Sequence, residues 1–276
     1  MLGRALTRYL SKYYNVFPAF KRNQSNSSNS VLLDVTNVNN LTSSFERIEP
    51  DYVVNCAAYT NVDESETNKQ LCYDVNANGM RNIISASSLT TKIIHISTDY
   101  VFDGNKKSYS EKDIPNPISY YGKVKLESEN LLRASRRENI ILRTSVIYDE
   151  SSSSFFSWIK SSLSKNNVIQ VVTDQISNPT WTWSLSEAIY KLILNNLEGL
   201  YHFAGDDILS RYDFALKIAK TYSYDVDKII PIETEKLNQL AKRPLSSTLN
   251  CDKIKNHIDI EHPSMDSIIK KIKENE

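Results

Sequence analysis

Short apolar runs alternate with segments of helical periodicity through the first half of this 276-residue chain. The apolar runs predict strands, and the periodic segments predict helices. Because neighbouring parallel strands need a crossover that is usually helical, this alternation predicts a parallel sheet with helices on both faces. We therefore predict an α/β protein with a Rossmann-like doubly wound sheet. The predicted strands are 16–20, 31–35, 51–58, 92–97, 140–145 and 168–172, and the predicted helices are 2–14, 41–48, 68–88, 121–135, 155–163, 184–195 and 211–222.

The alternation loosens beyond residue 148, where a serine run at 151–154 and a proline-containing loop at 178–180 interrupt it. This change predicts two parts. Residues 1–148 are expected to form a Rossmann-like domain that binds NAD(P). Residues 149–276 are expected to complete the sheet and to form a smaller C-terminal lobe that binds substrate.

The composition argues against several classes of function. Lys plus Arg and Asp plus Glu number 33 each, so the chain has no net charge to attract nucleic acid or an acidic membrane surface. No stretch approaches the roughly 20 apolar residues of a membrane-spanning helix. The three widely spaced cysteines suit free thiols in a reducing compartment, and we expect a cytoplasmic protein. The four histidines show no metal-ligand spacing with the cysteines, and His95, inside an apolar run, is expected to be a core residue.

The pair Tyr121 and Lys125 suggests hydride-transfer chemistry. On a helix these residues share one face, so the Lys125 ammonium can lie beside the phenol and lower its pKa, which is ordinarily about 10. Thr98, at the end of an apolar run, supplies a hydroxyl that can hold a substrate carbonyl oxygen while the phenol donates a proton. Taken alone, Tyr-x-x-x-Lys occurs by chance on many amphipathic helices, so its meaning depends on the surrounding motifs.

Further motifs follow one another along the chain in a recognisable order. With this series the chain resembles the dTDP-4-dehydrorhamnose reductases, of the extended short-chain dehydrogenase/reductase superfamily, over nearly its whole length. The motifs are Asn-Cys-Ala-Ala-Tyr-Thr-Asn-Val-Asp at 55–63, Val-Asn-Ala at 75–77, Ser-Thr-Asp-Tyr-Val-Phe-Asp-Gly at 97–104, Tyr-Gly-Lys-Val-Lys at 121–125, Leu-Arg-Thr-Ser at 142–145, Asp-Gln at 174–175, Pro-Thr at 179–180, Arg-Pro at 243–244 and Leu-Asn at 249–250.

The resemblance implies an activity and a set of catalytic residues. The expected reaction is NADPH-dependent reduction of the C4 keto group of dTDP-4-dehydro-L-rhamnose to dTDP-L-rhamnose. Tyr121 would donate the proton, Lys125 would assist it and hold the cofactor ribose, and Thr98 would bind the carbonyl oxygen. Asp99 and Tyr100, together with Thr98, would contact the sugar nucleotide. Some members of the family use magnesium, but no carboxylate cluster here identifies a site for it.

The cofactor side is expected to favour NADPH. Lys21 and Arg22 follow a predicted strand at the position where an acid favours NAD and a base accommodates the 2′-phosphate of NADP. NADH stays open, because a solvated charge pair at the start of a loop explains the two residues equally well. With the positions that the resemblance implies, the expected cofactor contacts are Gly3, Lys21, Arg22, Asp34, Ala57, Ala58, Tyr59, Thr60, Asn76, Ser97, Tyr121 and Lys125.

The chain departs from the family pattern at two places. Of the family's glycine-rich turn only the last glycine, Gly3, is present, and the strand before that turn is missing. We expect the natural start to lie upstream of Met1; the alternative is a member that has abandoned catalysis. In addition, Val146 stands where many of these reductases place a tryptophan that stacks on the sugar, so a related deoxysugar nucleotide is a possible substrate.

A second class of function also fits the motifs. The regulatory subunit of methionine adenosyltransferase is similar to the same family and shares Asp-Tyr-Val-Phe-Asp-Gly and Tyr-Gly-x-x-Lys. It is a non-catalytic protein that binds NADP. It tends to carry serine in place of Thr98, so Thr98 favours the reductase. The expected partner is a nucleotide-sugar substrate, and the sequence allows a monomer or a homodimer.

Overall fold

The computed structural model describes residues 1–22, 29–151 and 154–276. The predicted loop at 23–30 and the serine run at 151–154 therefore lie partly outside the described residues. The helices are α1 Leu2–Leu10, α2 Val38–Ile48, α3 Val62–Thr67, α4 Lys69–Tyr73, α5 Gly79–Ala86, α6 Tyr120–Ala134, α7 Phe155–Ser164, α8 Thr182–Leu194, α9 Arg211–Tyr222, α10 Asp252–His257 and α11 Met265–Glu274. The strands are β1 Ala19–Phe20, β2 Val31–Leu32, β3 Tyr52–Asn55, β4 Lys92–Thr98, β5 Asn139–Thr144, β6 Ile147–Tyr148, β7 Ile169–Val172, β8 Ile176–Ser177, β9 Thr180–Trp181, β10 Gly199–His202, β11 Leu209–Ser210 and β12 Ile229–Ile232.

A parallel sheet of four strands in the order β10-β5-β4-β3 forms the centre of the fold. A separate parallel pair, β1 and β2, precedes it in the chain. Three further two-stranded pairings, β6 with β9, β7 with β12 and β8 with β11, involve the second half. The prediction of an α/β protein with a parallel sheet is confirmed.

Helices cover both faces of the central sheet. Successive strand residues point to opposite sides, so each face contributes its own apolar side chains. On one face, Ile94 and Ile96 of β4 and Leu142 of β5 pack with α1 and α8. On the other face, Ile93 and Ile141 pack with apolar residues of α2, α5 and α6. Both faces are apolar, which explains why β4 and β5 are continuous apolar runs rather than alternating ones.

A second core lies in the C-terminal half of the chain. It joins α7, α9 and α11 with β7 and β12, and its buried members run from Tyr148 to Ile272. α8 and β10, by contrast, belong to the central sheet and its cover. The boundary at residue 148 between a domain at 1–148 and one at 149–276 stays a prediction.

The predicted helix at 68–88 is confirmed, but it contains one irregular turn. The segment divides into α4, a π-helical turn at Asp74–Asn78, and α5. Asn76 lies in this turn, where its side chain accepts a hydrogen bond from the Tyr59 backbone N–H at 3.0 Å and donates to the Tyr59 carbonyl at 3.1 Å. These two bonds tie the turn to the loop after β3, which helical periodicity alone does not reveal.

A buried ionic group joins α6 to β4 and β5. Arg143 of β5 donates to both carboxylate oxygens of Glu129 on α6, at 2.9 and 2.7 Å, and the Ser97 hydroxyl of β4 donates to Glu129 at 2.6 Å. Arg143 and Glu129 are 1% and 0% exposed. The guanidinium also lies 5.1 Å from the centre of the Phe102 ring. A charge pair this deeply buried is costly to separate, because neither partner can regain water.

None of the helices within the described ranges combines the length and the apolarity that crossing a bilayer requires.

We expect Glu129→Gln to lower the free energy of unfolding by about 3–5 kcal/mol, because it leaves the Arg143 charge buried without a counter-charge. Urea unfolding followed by circular dichroism measures this change. Glu274→Gln is the matched control, since Glu274 forms an exposed ion pair with Lys270 and should cost less than about 1 kcal/mol. Equal losses in the two variants would contradict the structural importance of the buried pair.

Candidate active site

The end of β4 carries the polar residues that begin the site. Thr98 is the last residue of the strand, and its hydroxyl accepts a hydrogen bond from the Tyr100 N–H at 3.1 Å. This bond caps a short 3-10 turn at Asp99–Val101. Thr98 and Asp99 are thereby held at the carboxyl edge of the sheet, which is where parallel sheets bind ligands.

Helix α6 begins against this turn and brings Tyr121 to Thr98. Ser119 caps the helix by accepting from the Gly122 N–H at 3.1 Å. A Cβ atom at Gly122 would lie 2.2 Å from the Tyr100 carbonyl oxygen, so only glycine permits the observed approach. The Tyr100 and Tyr121 rings meet edge to face, with their centroids 6.1 Å apart.

Tyr121 is buried beside Thr98. Burial raises the pKa of Tyr121 well above its usual value, and the nearby Asp99 carboxylate raises it further. The neighbouring Thr98 hydroxyl acts to lower the pKa of Tyr121. The phenol therefore keeps its proton at neutral pH and can serve as a proton donor.

The pKa of Tyr121 is raised overall, not lowered as expected, and the Lys125 amine contacts other groups. The Lys125 amine donates to the Ile96 carbonyl at 2.8 Å and lies 3.2 Å from Nε2 of His95. Desolvation lowers the pKa of Lys125 itself to about 8. The amine is hydrogen bonded to β4. Burial outweighs any effect of the amine on the pKa of the phenol.

Asp99 is enclosed by hydroxyl groups. Its carboxylate accepts from Thr98 at 3.1 Å, from Ser145 at 2.9 Å and from Ser247 at 2.5 Å. Burial raises the pKa of Asp99, and the three hydrogen bonds act against that rise. Ser247 comes from a distant loop and carries no signal in the sequence, whereas Ser145 lies in the Leu-Arg-Thr-Ser motif.

A small cleft opens beside Asp99 and Tyr100. Val146 and Arg211 line it, together with residues of the 175–177 and 244–247 segments. Val146 adopts a positive φ of 41°, which is strained for a β-branched residue and occurs mainly where function or packing demands it. The Arg211 charge acts on both Asp99 and Tyr100. Sequence reasoning did not single out Arg211, because nothing in a helical pattern distinguishes it.

The loop after β3 presents small residues at the same edge of the sheet. Ala57 is exposed and its N–H donates to the Asn55 side chain at 3.1 Å, while Ala58 and Tyr59 are half-buried and Thr60 is exposed. Asn76 fixes this loop through the Tyr59 backbone. The hydroxyl of Ser97, by contrast, already donates to Glu129, so the assignment of Ser97 to the cofactor stays a prediction.

The remaining predicted cofactor residues lie near the ends of β1 and β2 and in α1. Lys21 forms an ion pair with Asp34 at 2.8 Å, and Arg22 beside it is exposed. Thr36 also binds Asp34, through its N–H at 3.0 Å and its hydroxyl at 2.9 Å. Gly3 lies in the first turn of α1, where a Cβ atom would be 3.9 Å from Cβ of Cys56.

In the described part of the chain, no group of three or more His, Cys, Asp or Glu residues is placed to hold a metal ion.

Comparison with known proteins gives one consistent result. The sequence profile of the RmlD substrate binding domain matches residues 1–275. The dTDP-4-dehydrorhamnose reductase of Aggregatibacter actinomycetemcomitans is 34% identical over 254 residues, which cover 87% of this chain and 86% of that protein. The spore coat polysaccharide biosynthesis protein SpsK of Bacillus subtilis is 33% identical over 221 residues, covering 79% and 77%.

Solved structures agree with these relatives. The crystal structure of dTDP-4-dehydrorhamnose reductase from Bacillus anthracis in complex with NADP has a TM-score of 0.92 at 32% identity, and the match covers 100% of this chain and 95% of that one. The Bordetella bronchiseptica enzyme WbmH in complex with NAD⁺ has a TM-score of 0.82 at 14% identity over 98% and 92% of the two chains, a likeness of fold alone. The motifs, the parallel sheet and the site at its edge thus have one explanation: the chain belongs to the RmlD substrate binding domain family, which includes the dTDP-4-dehydrorhamnose reductases.

Proposed function

We propose that this protein is an oxidoreductase that reduces the C4 keto group of dTDP-4-dehydro-L-rhamnose to give dTDP-L-rhamnose, with NADPH as reductant. The observation that carries the proposal is the buried Tyr121 phenol beside Thr98, with Lys125 one helical turn further along α6. The named relatives support the same reaction.

The residues at the sheet edge fit a nicotinamide dinucleotide. Ala57 and Thr60 are exposed and Ala58 is half-buried in the loop after β3, so a ligand can approach the backbone there. Arg22 follows β1, is exposed and offers positive charge for a 2′-phosphate, whereas Lys21 beside it is paired with Asp34. The NADP complex of the Bacillus anthracis relative supports the phosphorylated cofactor.

The chain's own groups then divide the chemistry. Bound NADPH supplies a hydride to the carbonyl carbon. The Thr98 hydroxyl turns its proton from Asp99 to the carbonyl oxygen and holds it, and Tyr121 donates its proton to that oxygen as negative charge develops. The raised pKa of Tyr121 keeps the donor protonated until it is needed. Lys125, in its ammonium form, stabilises the phenolate that remains.

Asp99 is proposed to organise the substrate side. Its carboxylate accepts from Thr98, and through Ser145 and Ser247 it joins that hydroxyl to two further segments of the chain. The sugar nucleotide would enter beside Tyr100, in the cleft that Val146 and Arg211 line. We place the reaction in the cytoplasm, which the three free cysteine thiols support.

Tyr121→Phe is expected to lower kcat by at least about a hundredfold, because the proton donor is lost while the ring is kept. The rate of NADPH oxidation with dTDP-4-dehydro-L-rhamnose, followed by absorbance, measures it. Tyr120→Phe is the matched control, since it removes a hydroxyl from the neighbouring residue of the same helix and should leave kcat within about twofold. Wild-type turnover in Tyr121→Phe would refute the assigned role. No NADPH consumption by the wild-type protein, with tight binding to a methionine adenosyltransferase, would instead favour the regulatory-subunit alternative.

Arg22→Ala is expected to raise the KM for NADPH by about tenfold, since one tenfold step corresponds to about 1.4 kcal/mol of lost phosphate binding. The KM for NADH should change by less than about twofold, because NADH lacks the 2′-phosphate. Steady-state kinetics with each cofactor measure both constants. Arg47→Ala, an exposed arginine on α2, is the control for the loss of a surface charge. An equal change for both cofactors, or a wild-type preference for NADH, would contradict the role of Arg22.

A further inference from the structure

Three polar side chains form a buried row behind the catalytic pair. Asn55 ends β3, His95 lies opposite it on β4, and Lys125 reaches them from α6. Their exposed fractions are 7%, 1% and 1%. Nδ2 of Asn55 lies 3.4 Å from Nδ1 of His95, and Nε2 of His95 lies 3.2 Å from Nζ of Lys125. His95 is therefore a core histidine, but its two ring nitrogens connect a strand-end amide to the catalytic lysine.

A backbone contact determines the direction of the first hydrogen bond. The Ala57 N–H can only donate, and it donates to Oδ1 of Asn55 at 3.1 Å. The amide group of Asn55 must then turn Nδ2, which is also a donor, toward His95. Nδ1 of His95 can accept this bond only with its lone pair, so the neutral ring carries its proton on Nε2.

This tautomer has a consequence for the lysine. Nε2–H of His95 faces Nζ of Lys125, and only an uncharged amine has a lone pair to accept it. Such an amine still donates to the Ile96 carbonyl at 2.8 Å. An ammonium at Lys125 has no lone pair, so it would need Nε2 of His95 as an acceptor. The ring proton would then lie on Nδ1, where Nδ1–H of His95 and the Nδ2–H group of Asn55, both donors, would face each other. Asn55 and the Lys125 ammonium thus compete for one imidazole.

The other groups around the amine shift the pKa of Lys125 in opposite directions. Desolvation lowers the pKa of Lys125 to about 8. Three neighbours act to raise it: Glu129 on the same helix, Cys56 directly after β3 and Cys72 on α4. Desolvation, followed by the Lys125 charge, lowers the pKa of His95 well below its usual value, so the ring is neutral. The lowered pKa leaves the charge of the amine sensitive to a modest hydrogen-bond preference.

We propose that Asn55 fixes the tautomer of His95, and that His95 thereby controls whether the Lys125 amine carries a proton. Asn55 and His95 are positioning residues that act through Lys125. The consequence for turnover rests on the proposed reductase function, but the hydrogen-bond arrangement does not. Charging of Lys125 is coupled to movement of the His95 proton from Nε2 to Nδ1.

The first test is the tautomer of His95 in the wild-type protein. The chain has four histidines, so ¹⁵N-labelled imidazole signals are few, and loss of one signal in His95→Gln assigns it. We expect, at a pH where the amine is uncharged, the shift pattern of a neutral ring protonated on Nε2. A ring protonated on Nδ1 under that condition, or a cationic ring at neutral pH, would overturn the proposal.

The second test reverses the preference with Asn55→Asp. A carboxylate at this position still accepts from Ala57 and now also accepts from Nδ1–H of His95, so Nε2 is free to accept from an ammonium. We expect the His95 signals to change to the Nδ1–H pattern, and the titration midpoint of Lys125, read from its ¹³Cε signal, to rise by at least about one pH unit. The Lys125→Arg variant assigns that signal by its loss.

The matched control is Asn82→Asp, which adds the same charge on α5, where Asn82 bonds the Val35 carbonyl. It should change neither the His95 pattern nor the Lys125 midpoint. The alkaline limb of the kcat profile depends on the protonated amine, so it should move to higher pH in Asn55→Asp by the same interval. An unchanged tautomer and midpoint in Asn55→Asp would overturn the proposal. A protein inactive toward the sugar nucleotide that still shows both NMR changes would refute the reductase function alone.

Discussion

The contact between Glu129 and Arg143 is the interaction on which the rest of the site depends. It holds α6, which carries Tyr121 and Lys125, against β5, and Ser97 brings β4 into the same group. A catalytic pair on a helix is useful only if the helix keeps a constant distance from the strand that supplies Thr98. The two buried charges keep this distance constant, because separating them would leave each charge buried with neither its partner nor water.

Close backbone packing complements this ionic contact at the other end of the helix. The Tyr100 carbonyl approaches Gly122 at a distance that no Cβ atom allows, and Ser119 caps the helix at the same place. The close approach at Gly122 therefore helps to place Tyr121 beside Thr98. This burial raises the pKa of the phenol and lowers that of Lys125, so one enclosure prepares both groups.

Much of the fold was predictable from the sequence. The buried strands β4 and β5 are continuous apolar runs, and α6 and α9 have clear helical periodicity and serine caps, so local pattern and tertiary structure agree there. The helix at 68–88 was predictable, but its π-helical turn was not, because periodicity does not record the bonds between Asn76 and the distant Tyr59 backbone. Ser247 and Arg211 were also missed. Ser247 donates a hydrogen bond to Asp99 and the Arg211 charge acts on Asp99, and no local sequence pattern records either interaction.

By itself the sequence determined the class of fold and the family, and it singled out Thr98, Tyr121 and Lys125 as candidates, since these follow from periodicity and from motifs in order. Only the tertiary structure decided what each of those residues contacts. The sequence suggested that Lys125 acts on Tyr121, whereas the fold places its amine between His95 and the Ile96 carbonyl. The physical reason is that spacing along a helix specifies a shared face, but the charge and the partners of a buried amine are set by the strands packed against that face.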